Sequence, residues 1–187
     1  MKFSQYPIAA VLKENLEQLG FKKPTDIQYK SIASILKGED VLAIAQTGTG
    51  KTAAFAIPVI HQIHERAEQR RTKSPKAIVM VPTHELALQI EAFCLELTKN
   101  TLVSILALYG GVDQSPQIKR LKEGVDLVIA TPGRLFDLVS QGHLDLTQVR
   151  TLILDEADHM LDLGFYKDIR DLMFKLPKKR QTLFFSA

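Results

Sequence analysis

Residues 45–52 read Ala45-Gln46-Thr47-Gly48-Thr49-Gly50-Lys51-Thr52, between the apolar run Val41-Leu42-Ala43-Ile44 and a helix-like stretch from Thr52 to His64. A loop of this kind, placed where a strand turns into a helix, is built to cradle phosphates. Gly48 and Gly50 let backbone N–H groups converge on phosphate oxygens, Lys51 reaches the outer phosphates, and Thr52 offers its hydroxyl to Mg2+. Ala45 stands where the strict pattern has glycine, and a residue this small still permits the turn. The competing reading is a glycine-rich turn that does no more than cap a helix.

Further along, Asp155-Glu156-Ala157-Asp158 follows Val149 to Leu154, whose Leu152-Ile153-Leu154 core predicts a buried parallel strand with acids at its carboxyl end. In open α/β sheets that edge is where ligands bind. An aspartate there holds Mg2+, largely through water, and the neighbouring glutamate orients or deprotonates an attacking water. Taken alone, two acids at the start of the next helix would equally suit its macrodipole. Taken together, the two segments describe a nucleoside triphosphatase that transfers a phosphoryl group to water.

A chain of 187 residues with 45% hydrophobic content supports one well-cored domain, and no internal repeat is present. A single cysteine excludes an intrachain disulfide, and the spacing of Leu86, Ile90, Cys94 and Leu97 puts that thiol on the apolar face of a helix. The N-terminus lacks the apolar core of a signal peptide and no run approaches membrane-spanning length, so a cytoplasmic, membrane-free protein is expected. The net charge of +3 is too small to argue for nucleic acid by itself. Two basic clusters, within Glu65 to Lys76 and at Lys178-Lys179-Arg180, read as solvated faces.

Strand-like segments recur at Val41 to Ala45, Ala77 to Val81, Leu102 to Leu108, Asp126 to Ala130, Thr151 to Asp155 and Thr182 to Ser186, with helix-like stretches between most of them. The alternation predicts an α/β fold, a mostly parallel sheet with helices on both faces. Thr83 before His84-Glu85-Leu86, and Thr131 before Pro132-Gly133-Arg134, look like capped helix starts at the carboxyl ends of strands. Their backbone donors would suit the phosphates of a second, polyanionic ligand, as every capped helix start does. His61 and His64 lack the further ligand motifs of a metal site and read as surface residues.

These residues resemble one family closely, the DEAD-box RNA helicases, over Phe3 to Ala187. Gly20 to Gln28 looks like the adenine-reading Q motif, with Phe3 as its isolated upstream aromatic. The phosphate loop is similar to motif I, Pro82 to Ala87 to motif Ia, Gly110-Gly111 to the glycine doublet, Thr131 to Arg134 to motif Ib, Asp155 to Asp158 to motif II, and Ser186-Ala187 to the start of motif III. The resemblance implies a RecA-like P-loop NTPase domain over residues 1–187, its Q-motif region included in 1–38.

It further implies an ATP site of Phe3, Phe21, Lys23, Thr25, Gln28, Ala45, Gln46, Thr47, Gly48, Thr49, Gly50, Lys51 and Thr52. Glu156, Lys51 and Asp155 would carry catalysis, with Mg2+ held by Thr52 and Asp155. Gln28 would read the adenine edge and Phe3 would pack on the ring, although Thr25-x-x-Gln28 is equally a helix capping box. Pro82, Thr83, His84, Gly110, Gly111, Thr131, Pro132, Gly133 and Arg134 would face an RNA backbone without reading its sequence. Asp158 would pair with Ser186 and link the nucleotide site to the strand-separating state.

Two departures qualify the likeness. His84 replaces the family's usual Arg, exchanging a permanent charge for an imidazole that responds to pH. Ala187 falls before the threonine that completes motif III and before the second RecA-like domain with its arginine fingers. These residues are therefore expected to be the N-terminal half of a monomeric enzyme, an ATP-dependent RNA helicase whose second domain is its partner. A DNA helicase, another P-loop ATPase, and a binding module without turnover are the competing functions.

Overall fold

The computed structural model describes residues 2–46, 48–66 and 74–187. Six strands form one sheet: β1 (Val41–Ile44), β2 (Ala77–Met80), β3 (Ile105–Leu108), β4 (Leu127–Ala130), β5 (Thr151–Leu154) and β6 (Gln181–Ser186). Their order across the sheet is β1-β6-β5-β2-β4-β3, and every pairing is parallel. β2, β3, β4 and β5 are buried at every residue, as apolar runs such as Ala-Ile-Val-Met and Thr-Leu-Ile-Leu require when helices cover both faces.

One face carries α1 (Ala10–Gln18), α2 (Asp26–Leu36), α3 (Lys51–Glu65) and α4 (His84–Leu97). Their buried residues share a core with Val79, Ile129, Ile153, Leu183 and Phe185 of the strands. Phe185 meets Phe55 of α3 edge-on at 5.2 Å, a geometry that adds about 0.5 to 1.5 kcal/mol beyond burial. The other face carries α5 (Ser115–Glu123), α6 (Pro132–Ser140), α7 (Ala157–Asp162) and α8 (Tyr166–Lys175). There Leu121, Leu135, Leu138, Met160 and Leu172 pack on Ile78, Val128, Leu152 and Leu154.

The division follows the path of the chain. Connections that move from β1 towards β3 (β1 to β2, β2 to β3) cross by α3 and α4; those that move back (β3 to β4, β4 to β5, β5 to β6) cross by α5 to α8. Opposite directions on opposite faces are what a constant crossover hand demands. At β1 the second face is bare: Leu42 and Ile44 are 73% and 72% exposed, beside Phe184 in the paired register.

Strand ends differ little from the periodicity. Ala45, Val81 and Asp155 lie just outside their strands yet still donate ladder-like bonds, to Ser186, Ala130 and Met80. β3 begins at Ile105 rather than Leu102, because the Thr101 hydroxyl takes the Val103 N–H in a local turn and Leu102 stays exposed. Cys94 is fully buried in α4, and burial pushes its thiol up to about 12, as its apolar stripe predicts. His61 is only partly exposed, and its Nδ1 accepts the Ala9 N–H at 3.2 Å, so it joins α1 to α3 instead of standing on the surface.

Candidate functional site

All of the motif segments after the Q motif lie at one edge, where the strands end. The phosphate loop follows β1, Ser186 ends β6, and Asp155 follows β5. Pro82-Thr83 follows β2, Thr131 follows β4, and Gly110-Gly111 follows β3. The strand order therefore puts the phosphate loop and the acids on one half of the edge, β1-β6-β5. The segments expected to meet a nucleic-acid backbone occupy the other half, β2-β4-β3.

On the first half, Gly48 and Gly50 take φ values of +81° and +90°, a left-handed region open to glycine at no steric cost. Gly50 is the N-cap of α3, so the donors at the start of that helix open onto the loop. Lys51 is 7% exposed, with Nζ 3.4 Å from the Ser186 carbonyl. Ala45 donates to the same carbonyl at 3.0 Å, and the Thr49 hydroxyl donates to Gln46 at 2.6 Å, closing the loop on itself. Thr52 is half-buried at the second position of α3. Thr47 lies outside the described residues.

The Q-motif segment is tied to this loop by its side chains. Thr25 and Gln28 form the reciprocal capping box of α2, the Thr25 N–H donating to Gln28 Oε1 at 3.0 Å. Each then reaches across to the loop: Thr25 Oγ1 donates to Thr49 at 2.8 Å and Gln28 Nε2 to Gly50 at 3.1 Å. Gln28 is 2% exposed and Phe3 3% exposed, the latter edge-on to Phe21 at 5.8 Å and packed against Tyr6. Lys23 is exposed. An open cavity of about 360 Å³ lies beside the loop, lined by Thr25, Asp26, Ile27, Lys30, Ile44, Ala45 and Thr49.

The acids carry the sharpest electrostatics. Asp155 is 3% exposed, and burial pushes its carboxyl up to about 6, against the pull of the Lys51 ammonium and the Glu156 N–H. The Glu156 and Asp158 carboxylates push it the same way as burial. Glu156 itself sits at φ +51°, a costly conformation for a residue with a Cβ, and its side chain meets His159 Nδ1 at 3.3 Å. The Ser186 hydroxyl beside Asp158 holds that carboxyl below the usual range, while Asp158 Oδ1 is buried with no partner. A buried ammonium, a buried acid and an orphaned carboxylate oxygen around one glycine loop fit a polyphosphate with a hard cation better than they fit an inert core.

On the second half, the Thr83 side chain caps α4 by accepting the Leu86 N–H at 3.3 Å. The cap expected from the Thr131 side chain is not formed; Pro132 at the first position, with its fixed φ, starts α6 instead. His84 is exposed, paired with Glu85 at 2.9 Å and stacked on Tyr109 at 6.1 Å. Gly110, Gly111 and Gly133 are exposed and Pro132 is buried. Arg134 is 8% exposed and faces inward: Nη1 donates to Gln117 at 2.9 Å and Nη2 to the Val112 carbonyl at 2.8 Å. Gln117 in turn donates to Tyr109 at 3.2 Å, so two side chains pin the loop that bears the glycine doublet. Gln117 and Tyr109 were missed by motif reading.

The family model for DEAD/DEAH box helicases matches residues 25–187. The chain belongs to this family. All of it aligns, at 42% identity, with the ATP-dependent RNA helicase CshA of Listeria monocytogenes, of which it covers 35%. It is 43% identical to the ATP-dependent RNA helicase RhlB of Photorhabdus laumondii, covering 44% of that protein. A crystal structure of a DEAD box protein from Methanococcus jannaschii superposes with a TM-score of 0.92 at 40% identity, over all of this chain and 50% of the other. This DEAD/DEAH box helicase chain thus spans well under two thirds of the relatives it matches.

Proposed function

We propose that residues 1–187 act as one RecA-like unit, the N-terminal ATP- and RNA-binding part of an ATP-dependent RNA helicase that works in the cytoplasm as a monomer. The observation that supports this reading is the division of the carboxyl edge, with the phosphate loop and acids on the β1-β6-β5 half and the loops after β2, β4 and β3 on the other.

In this reading the N–H groups of residues 48–52 enclose the β-phosphate, and Lys51 leaves the Ser186 carbonyl for the outer phosphates. Thr52 and, through water, Asp155 would hold Mg2+, which supplies neutralising charge on those phosphates. Glu156 orients a water in line with the γ-phosphate and accepts its proton, while Asp158 and Ser186 couple β5 to β6. Thr25 and Gln28 set the position of the loop, and the unused N–H of Gln28 is what remains to read an adenine. Thr83, His84, the glycine doublet, Thr131 and Gly133 meet the sugar-phosphate backbone without base contacts, and Arg134 holds their loop. A second RecA-like domain elsewhere in the polypeptide closes over both ligands and supplies arginines.

The test is ATP hydrolysis with RNA or DNA added, by this chain and by the polypeptide extended to a second RecA-like domain. The extended protein is expected to be stimulated by RNA and the 187-residue chain to be slow, since such an arginine is worth about 10³ to 10⁵ in rate. Stimulation by DNA instead would favour a DNA helicase. Nucleotide binding with no turnover in either protein would leave a binding module.

A further inference from the structure

The opposite edge of the sheet holds a second concentration of charge. A cavity of about 530 Å³ is lined there by Gly38, Arg66, Arg150, Lys179, Arg180 and Gln181. Arg66 caps the end of α3, Arg150 immediately precedes β5, and Arg180 immediately precedes β6. Adjacent strands bring the last two together, Gln181 donating its N–H to the Arg150 carbonyl at 2.8 Å. Gln181 is committed to the scaffold, its amide donating to Ile35 at 3.1 Å and Glu39 at 2.6 Å. Arg66, from one of the basic clusters that read as solvated faces, thus shares a hollow with Arg150 and with Lys179 and Arg180 of the other cluster, while residues 67–73 lie outside the described residues.

Ordinary surface chemistry explains one of these cations. Arg66 suits the negative end of the α3 macrodipole. It does not explain four like charges around one cavity whose lining residues include no acid, and among the described residues none of the four is in an ion pair. Asp40, two residues after Gly38 of the lining, already accepts the Thr182 N–H at 2.7 Å. Arg180 is held by one bond from Nη1 to Pro177 at 2.8 Å, and its Nε is buried without an acceptor. A buried donor left unpaired is rare and calls for a partner.

We propose that this cavity is a second anion site, separate from the nucleotide edge, which takes an anion bearing two or more closely spaced phosphates. Its size lies in the range of ligand pockets, and guanidinium forks match phosphate oxygens in pairs. No aromatic side chain lines it, so a base has nothing to stack on and the phosphates themselves are what it grips. A compact polyphosphate and the backbone of an RNA strand share that chemistry. The proposal does not depend on the reading of the opposite edge.

The probe is inorganic tripolyphosphate, titrated calorimetrically at low salt into the chain and into Lys51→Ala, which disables the phosphate loop. The Lys51→Ala protein is expected to keep one equivalent of bound tripolyphosphate. Arg150→Gln or Lys179→Gln in that background should weaken it about tenfold each, as loss of a charge-assisted bond does. Arg180→Lys, which retains charge but lacks the Nε donor, should weaken it too. Single-stranded RNA that displaces the probe identifies a nucleic-acid backbone as the source, and RNA that does not identifies a compact polyphosphate. The proposal is overturned if Lys51→Ala binds no tripolyphosphate, or if the folded Arg150→Gln and Lys179→Gln proteins bind it as tightly as their parent.

Discussion

Gln28 Nε2 donates to the Gly50 carbonyl at 3.1 Å, so the side chain that completes the cap of α2 also holds the residue that opens α3. Two helix starts, far apart in sequence, share one amide. The phosphate loop is consequently positioned from outside itself, by residues that precede it in the chain.

Gly50→Ala should disable that arrangement. A Cβ at Gly50 would stand 2.3 Å from Gln28 Nε2, and the φ of +90° is strained for any residue with a side chain. A loss of about 1 to 3 kcal/mol in stability is expected, together with weakened nucleotide binding. Adding Gln28→Ala removes the clash but not the strain, so a denaturant melt of the double variant should recover only part of the loss. Full recovery would show that the backbone tolerates alanine.

Gln28→Ala alone should weaken both nucleotides, because the amide holds the loop that both use, and should weaken ATP more than GTP, by about 1 to 3 kcal/mol, because the remaining N–H reads the adenine. Competition binding of the two measures this. Equal losses would leave Gln28 as a support of the loop that does not read the base.

Asp155 predicts a pH dependence of the metal- and nucleotide-free protein. Its folded pKa is raised to about 6, so the protonated carboxyl favours the folded state; that contribution is whole below about pH 4 and is lost as pH rises through 6. At pH 7.5 the ionised, buried group costs up to about 3 kcal/mol. Asp155→Asn should therefore raise stability in EDTA at pH 7.5 by about 1 to 3 kcal/mol and lose its advantage near pH 4. Equal melting temperatures of the two proteins at pH 7.5 would mean the carboxylate is better solvated than its 3% exposure implies.

Arg134→Ala should release the loop at residues 110–114. Two bonds are lost and the Gln117 acceptor is left buried without its donor, for about 1 to 3 kcal/mol. Amide exchange at Gly110 and Gly111 should accelerate, with RNA affinity falling as a result. Reduced RNA affinity without faster exchange would mean that Arg134 touches the phosphates directly.

His84→Arg should tighten single-stranded RNA binding and steepen its salt dependence by up to about one unit, without changing sequence preference. The site is exposed beside Glu85 and Tyr109, so the longer guanidinium has room to reach outward. Matched affinity and salt slope at pH 7.5 would show that this position does not face the backbone.

The sheet, its helices and the edge that carries the motifs were legible in the sequence, because each buried strand is a short apolar run that ends in polar residues. The direction of individual side chains was less so. Arg134 was read outward from its motif, yet it lies beside Leu135 and four residues before Leu138, both fully buried, so helical spacing already turned it inward. The inward packing of Phe3 on Phe21 joins residues eighteen apart without periodicity between them. The basic cavity was illegible for a deeper reason: its cations come from three distant segments, and only the order β6-β5 in the sheet brings Arg150 next to Arg180.

The hand of the crossovers also governs how this sheet is able to widen. Every step from the β3 side towards the β1 side passes over the face of α5 to α8. A connection that left β6 and added a strand outside β1 would continue in that direction, and the same hand would carry it above Leu42, Ile44 and Phe184. The bare apolar patch is therefore a berth of fixed address: a crossover helix seated there would shield it, and the outer hydrogen-bonding row of β1, unpaired among the described residues, would receive the strand that follows.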